Sequence, residues 1–132
     1  TGERAAALVP SKANGFTFCQ ANFVAMGAPM PETIHRLGKT GLIHFVHFRD
    51  IQGDARHIVE TFHDEGQTDM FACMRAYRDI GFTGPMRSDH APNMYGDPNV
   101  HPGYEARGRL FAIGYMKGLL EGVDATRVAA GA

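Results

Sequence analysis

The chain has no tryptophan and only two cysteines in 132 residues. Cys19 and Cys73 lie 54 positions apart with no CxxC spacing, which excludes a disulfide framework and a cysteine-rich zinc module. Each is a free thiol, a small buried side chain or a single metal ligand. An excess of one charge is also missing. Thirteen basic side chains face fourteen acidic ones with neither sign in a block, so the electrostatic footprint of a nucleic-acid binder is absent. No apolar run approaches the roughly 20 residues that span a bilayer. The opening TGERAAALVPSKANG lacks the basic start and long apolar core of a signal peptide. The expected setting is the cytoplasm and the expected partner a small molecule, with no role for nucleic acid or membrane.

What is present describes one globular domain: 44% apolar and 20% charged residues, with nine phenylalanines and seven methionines to build a core of aromatic and flexible side chains. Seven histidines are more than a surface needs.

Three strands alternating with three helices are expected. A short strand fits Phe16 to Cys19, entered through Asn14-Gly15. A helix follows in PMPETIHRLGKTG, with Met30, Ile34 and Leu37 on one face and prolines at its start. GLIHFVHFRDI is a nearly continuous apolar run, the pattern of a strand covered on both faces. After a polar loop from Gln52 to Gln67, Met70, Cys73, Met74 and Tyr77 mark one face of a helix ending at Gly81, so Cys73 points into packing. A third strand fits GPMRSDH, a loop runs to Pro102, and a last helix covers about Gly103 to Leu120. The tail from residue 123 to 132, VDATRVAAGA, reads as frayed.

Such alternation implies a parallel sheet, in which functional sites gather where strands end and the following loops begin. Cys19, His47 and Asp89 each occupy that place, 28 and 42 residues apart. A thiolate, an imidazole and a carboxylate together suit manganese, iron or zinc better than magnesium or calcium. Ordinary readings stand beside this one. Cys19 also fits a buried small residue, His47 a core histidine and Asp89 a turn cap. His44, deeper in the apolar run and of opposite parity, reads as structural. His63 lies with Asp64 and Glu65 in TFHDEGQTDM, a solvated loop or a substrate contact. Arg49 and Arg87 suit bidentate pairing with a substrate carboxylate or a salt bridge to Asp50 or Asp89. The glycines of GRLFAIGYMKG do not follow a strand with phosphate-loop spacing.

Taken together, NGFTFC, IHFVHFRDI, FHDEGQTDM, MRSDHAPNM and HPGYEARGRLFAIGYMKGLL resemble the mannonate dehydratase family in order and spacing, over about residues 11 to 121. The resemblance implies a (β/α)8 barrel of the xylose-isomerase-like kind that dehydrates D-mannonate to 2-dehydro-3-deoxy-D-gluconate in hexuronate breakdown, with Mn2+ or Fe2+. It implies that Cys19, His47 and Asp89 are metal ligands and that His90 and Tyr104 serve proton transfer. Arg49, His63 and Arg87 are expected to contact substrate. A different metal-dependent isomerase or epimerase on the same barrel would share these ligands, and a non-catalytic metal-binding fragment is the other alternative.

Two departures from the family pattern stand out. Ser88 replaces a proline between arginine and aspartate, which loosens the backbone but keeps the ligand. The family's fourth metal ligand, a histidine on an earlier strand, has no counterpart here. Three βα units cannot close an eight-stranded barrel. The expectation is therefore that residues 1–122 are the last three units of a longer catalytic domain and that the activity belongs to the complete protein, in which a homo-oligomer remains open.

Overall fold

In the computed structural model, which describes residues 2–131, the chain runs α1 (Gly2–Leu8), β1 (Phe16–Cys19), α2 (Gln20–Ala25), α3 (Met30–Gly38), β2 (Ile43–His47), β3 (Ile51–Asp54), β4 (His57–Glu60), α4 (Met70–Asp79), β5 (Met86–Arg87) and α5 (Ala106–Gly131). Strands β1, β2 and β5 form a parallel sheet in that order. This is the α/β arrangement expected from the alternation, with all three strands inside the stretches that the sequence suggested. The third is short: only Met86 and Arg87 pair, through Val46 N–H to Pro85 O and Phe48 N–H to Arg87 O.

The helices bury the faces that their periodicity marks. Proline follows Met30 in the first turn of α3, where no backbone donor is lost, and Met30, Ile34 and Leu37 are buried. In α4, Asp69 caps the helix by accepting from Ala72 N–H at 2.8 Å, and Met70, Cys73, Met74 and Tyr77 are buried. These residues join Phe18, Val46 and Phe48 in one core. Truncating a fully buried member such as Ile34 to alanine costs about 2–5 kcal/mol.

The structure departs from the sequence-based expectation in three places. Residues 52–67, read as a loop, contain the antiparallel hairpin β3–β4, with Asp54 Oδ1 accepting from the N–H groups of Arg56 and His57 at its turn. The hairpin is fastened by Ala55 N–H to Ala25 O and by a reciprocal pair between Gln67 and Gly53. Two short helices, α1 and α2, were not foreseen. Finally, α5 starts at Ala106 and runs through Gly131, past Leu120, where the last helix was expected to end. Val123 is buried against the core, and Thr126 Oγ1 donates to Val123 O at 2.8 Å. Thr1 and Ala132 lie outside the described residues.

Helix α5 leaves Leu110, Ile113 and Leu120 exposed. An apolar cavity of about 590 Å³ lies between α4, β5 and α5, lined by Met74, Phe82, Met86, Ile113 and Met116 among others. No helix of the described residues is long and apolar enough to cross a membrane.

Candidate metal centre

Strand register assembles the first part of the site. Cys19 is paired with His47 across β1 and β2, and His47 with Arg87 across β2 and β5. The ends of three strands distant in sequence therefore lie level. Two residues past Arg87 the backbone turns through Asp89 at φ 58°, a left-handed conformation that aspartate tolerates better than most residues but that still marks a constrained position. The turn brings its carboxylate to the neighbouring strand ends: Asp89 Oδ2 is 3.5 Å from His47 Nδ1 and 4.0 Å from Cys19 Sγ. One ligand atom from each of Cys19, His47 and Asp89 lies within 4.8 Å of the others.

A second layer surrounds that carboxylate. Buried Arg49, just beyond β2, donates from Nε to Asp89 Oδ2 at 3.0 Å and from Nη1 to Glu60 at 2.9 and 2.7 Å. His90 points Nε2 at Asp89 Oδ2 (3.4 Å) and Nδ1 at Glu60 Oε2 (3.3 Å). The loop after β5 returns at Gly103, whose carbonyl accepts from Ala91 N–H at 3.0 Å. Gly103 has φ 83°, and a side chain there would press on the His90 Cβ. The return sets the Tyr104 ring edge-on to His90, with centroids 5.5 Å apart, and Arg87 lies over the same ring at 5.9 Å.

Seven of the eight residues named from the sequence thus converge: Cys19, His47, Asp89, His90, Tyr104, Arg49 and Arg87. The geometry separates the two arginines. Arg49 is buried and bonds two carboxylates of this chain through Nε and Nη1. Arg87 is 42% exposed and only 3.9 Å from Asp89 Oδ1, so its guanidinium remains available.

His63 stands apart from the other seven. It is fully buried, with Nε2 2.8 Å from Ser88 O, and its Nδ1 has no hydrogen-bond partner among the described residues. Burial holds its pKa below the ordinary imidazole value, against the opposing influence of the Ser88 and Phe48 backbone. Its contact with Ser88 O braces the backbone just before Asp89. His44 is exposed, with its ring over Gly15, and takes no part in the site. Cys73 is sealed in the core, where burial pushes its thiol up to about 12.

Glu60 is the member that the sequence reading missed. Its signal was faint: an acidic residue closing HIVE, a segment with no alternating burial, every position of which is exposed.

The donor set fits a transition metal. Sulfur, nitrogen and oxygen together favour a first-row ion over magnesium or calcium, and the separations are on the scale that one ion spans with bonds of about 2.0–2.3 Å. Cys19 is partly accessible, so the thiol is not locked away as Cys73 is.

Comparison with known proteins identifies the family. The sequence profile of the D-mannonate dehydratase (UxuA) family matches residues 2–129. The chain is 37% identical to mannonate dehydratase 2 of Halalkalibacterium halodurans, over 92% of this chain and 36% of that protein. It is 36% identical to mannonate dehydratase of Thermotoga maritima, over 92% of this chain and 35% of that one. A crystal structure of mannonate dehydratase from Streptococcus suis serotype 2 superposes with a TM-score of 0.87 at 29% identity, covering 98% of this chain and 37% of that one. The chain spans about a third of the length of the curated relatives it matches. With the family profile matched from end to end of α1 and almost to the end of α5, the chain belongs to the D-mannonate dehydratase family.

Proposed function

We propose that these residues are the last three βα units of a (β/α)8 barrel, xylose-isomerase-like, that dehydrates D-mannonate to 2-dehydro-3-deoxy-D-gluconate in cytoplasmic hexuronate breakdown. The observation that carries the reading is the convergence of Cys19, His47 and Asp89 beside the His90–Tyr104 pair. Cys19, His47 and Asp89 would hold a divalent ion, Mn2+ or Fe2+, with a further ligand from the remaining units. Bound there, the ion supplies electrostatic stabilisation of the negative charge that develops when a sugar acid loses its C2 proton.

The side chains of this segment account for the rest. The half-exposed guanidinium of Arg87 suits a substrate carboxylate or hydroxyl. His90 and Tyr104 share the proton transfers: one group takes the proton from C2, and the other gives a proton to the C3 hydroxyl, which departs as water. An imidazole exchanges protons near neutral pH, whereas a phenol starts protonated. The enol left behind takes a proton at C3 and becomes the 2-keto acid, so the reaction needs no oxidant.

The test is made in the complete polypeptide. Incubation with D-mannonate should yield a 2-keto-3-deoxy acid. Recovery of an epimer or isomer with no loss of water would instead assign an isomerase. His90→Ala and Tyr104→Phe should lose turnover while retaining metal, and full turnover in either variant removes that residue from the proton-transfer pair.

A further inference from the structure

Glu60 ends β4, and its carboxylate reaches from the hairpin into the cluster around Asp89. Its Oε2 lies 2.7 Å from Arg49 Nη1 and 3.3 Å from His90 Nδ1, while Arg49 Nε and His90 Nε2 face Asp89 Oδ2 at 3.0 and 3.4 Å. The four groups close a ring in which two carboxylates alternate with a guanidinium and an imidazole. We propose that Glu60 is a positioning residue of the metal centre, holding Asp89 in place through Arg49 and holding the His90 ring through Nδ1.

Three observations support this role over that of an incidental surface ion pair. Arg49 is 8% exposed, so its guanidinium has little water to turn to. Its bonds to Glu60 and Asp89 therefore hold the guanidinium in one place. Asp89 sits in a left-handed conformation and depends on its surroundings to keep its carboxylate over the strand ends. Glu60 itself is fixed from behind, because it pairs with Ile51, which is 1% exposed, across the hairpin. The hairpin thus supports the centre much as outer partners orient metal ligands elsewhere.

This inference rests on the metal-centre reading, and one experiment separates the two. Co2+ is titrated into the complete polypeptide and its variants, and the thiolate-to-Co2+ absorption band is followed. Cys19→Ser should abolish the band. A band that survives in that variant overturns the metal centre and this inference with it.

Given the band, Glu60→Ala and Glu60→Asp should keep it but weaken Co2+ binding by about 10–100-fold, the usual effect of losing an outer partner, with both variants still folded at the titration temperature by circular dichroism. Glu60→Gln should retain most of the affinity, because one amide oxygen can accept from both Arg49 and His90. The reverse pattern, with Glu60→Asp like wild type and Glu60→Gln weakened, would show that charge alone acts and overturn positioning. Wild-type affinity in Glu60→Ala would overturn it equally.

Discussion

Arg49 Nε and Asp89 Oδ2 are 3.0 Å apart, and each side chain is only 8% exposed. Replacing Arg49 with methionine keeps much of the packing volume but leaves a buried carboxylate without its main cation. Removing one partner of such a pair costs about 3–5 kcal/mol. Urea unfolding should show a midpoint lowered to match with an unchanged m-value, and a shift below about 0.5 kcal/mol would place the pair with ordinary surface contacts.

The backbone at Asp89 separates conformation from ligation. Asparagine tolerates φ near 58° as aspartate does, so Asp89→Asn should keep the backbone conformation while losing metal affinity and the charge that pairs with Arg49. Asp89→Ala loses the same charge and should melt lower still, by about 1 kcal/mol relative to Asp89→Asn, because alanine is strained there. Calorimetric titration with Mn2+ beside thermal melts measures the two effects independently. Equal melting of the two variants would remove the strain argument.

The two thiols should differ sharply in reactivity. Cys19 is partly accessible at the end of β1, whereas Cys73 is fully buried with its thiol pushed up to about 12. Iodoacetamide should modify Cys19 in the folded protein and reach Cys73 only after denaturation. Divalent metal should slow the first reaction. Mass spectrometry of the modified peptides reads both results, and native labelling of Cys73 would contradict its burial.

His63 predicts a specific acid sensitivity. Its folded pKa lies below the unfolded value of 6.5 because burial disfavours the charged ring. The unfolded chain then takes up the proton first. The stabilising contribution is complete above about pH 6.5 and diminishes as pH falls toward the folded pKa. A His63→Gln variant should lose less stability than wild type between pH 7 and pH 5, measured by denaturant midpoints. Parallel curves for the two proteins would contradict the burial argument.

Strand ends and helix faces were legible because they depend on local pattern. The apolar run 41–51 marked a strand, found at Ile43–His47, although exposed His44 shows that it is not covered on both faces as expected, and Met70, Cys73, Met74 and Tyr77 could share a face only in a helix. From those elements a parallel sheet follows, and with it the meeting of Cys19, His47 and Asp89. The hairpin was illegible because its strands have no buried face to alternate against: Gln52, Gly53 and Asp54 are exposed, as is all of β4. The partnership of Glu60 with Arg49 was illegible for the same reason, since it joins a hairpin to a strand end and leaves no periodic trace. The burial of His63 was hidden by its neighbours, for a loop as polar as HDEG does not suggest a ring with no exposed surface. Val123 misled in the opposite direction, since nothing in a tail composed largely of small residues marks it for burial against the core.

The parallel register of Cys19, His47 and Arg87 would also make an ion held as proposed a fastener of the chain. Its donors Cys19, His47 and Asp89, separated by 28 and 42 residues of sequence, sit at or just past the ends of three strands, are far apart in the unfolded polymer and meet only once β1, β2 and β5 have docked. An ion that binds the docked state alone strengthens it by mass action, about 2.7 kcal/mol at a hundredfold excess over its dissociation constant. Metal supply would then govern how long the sheet stays closed as well as how fast any chemistry runs on it.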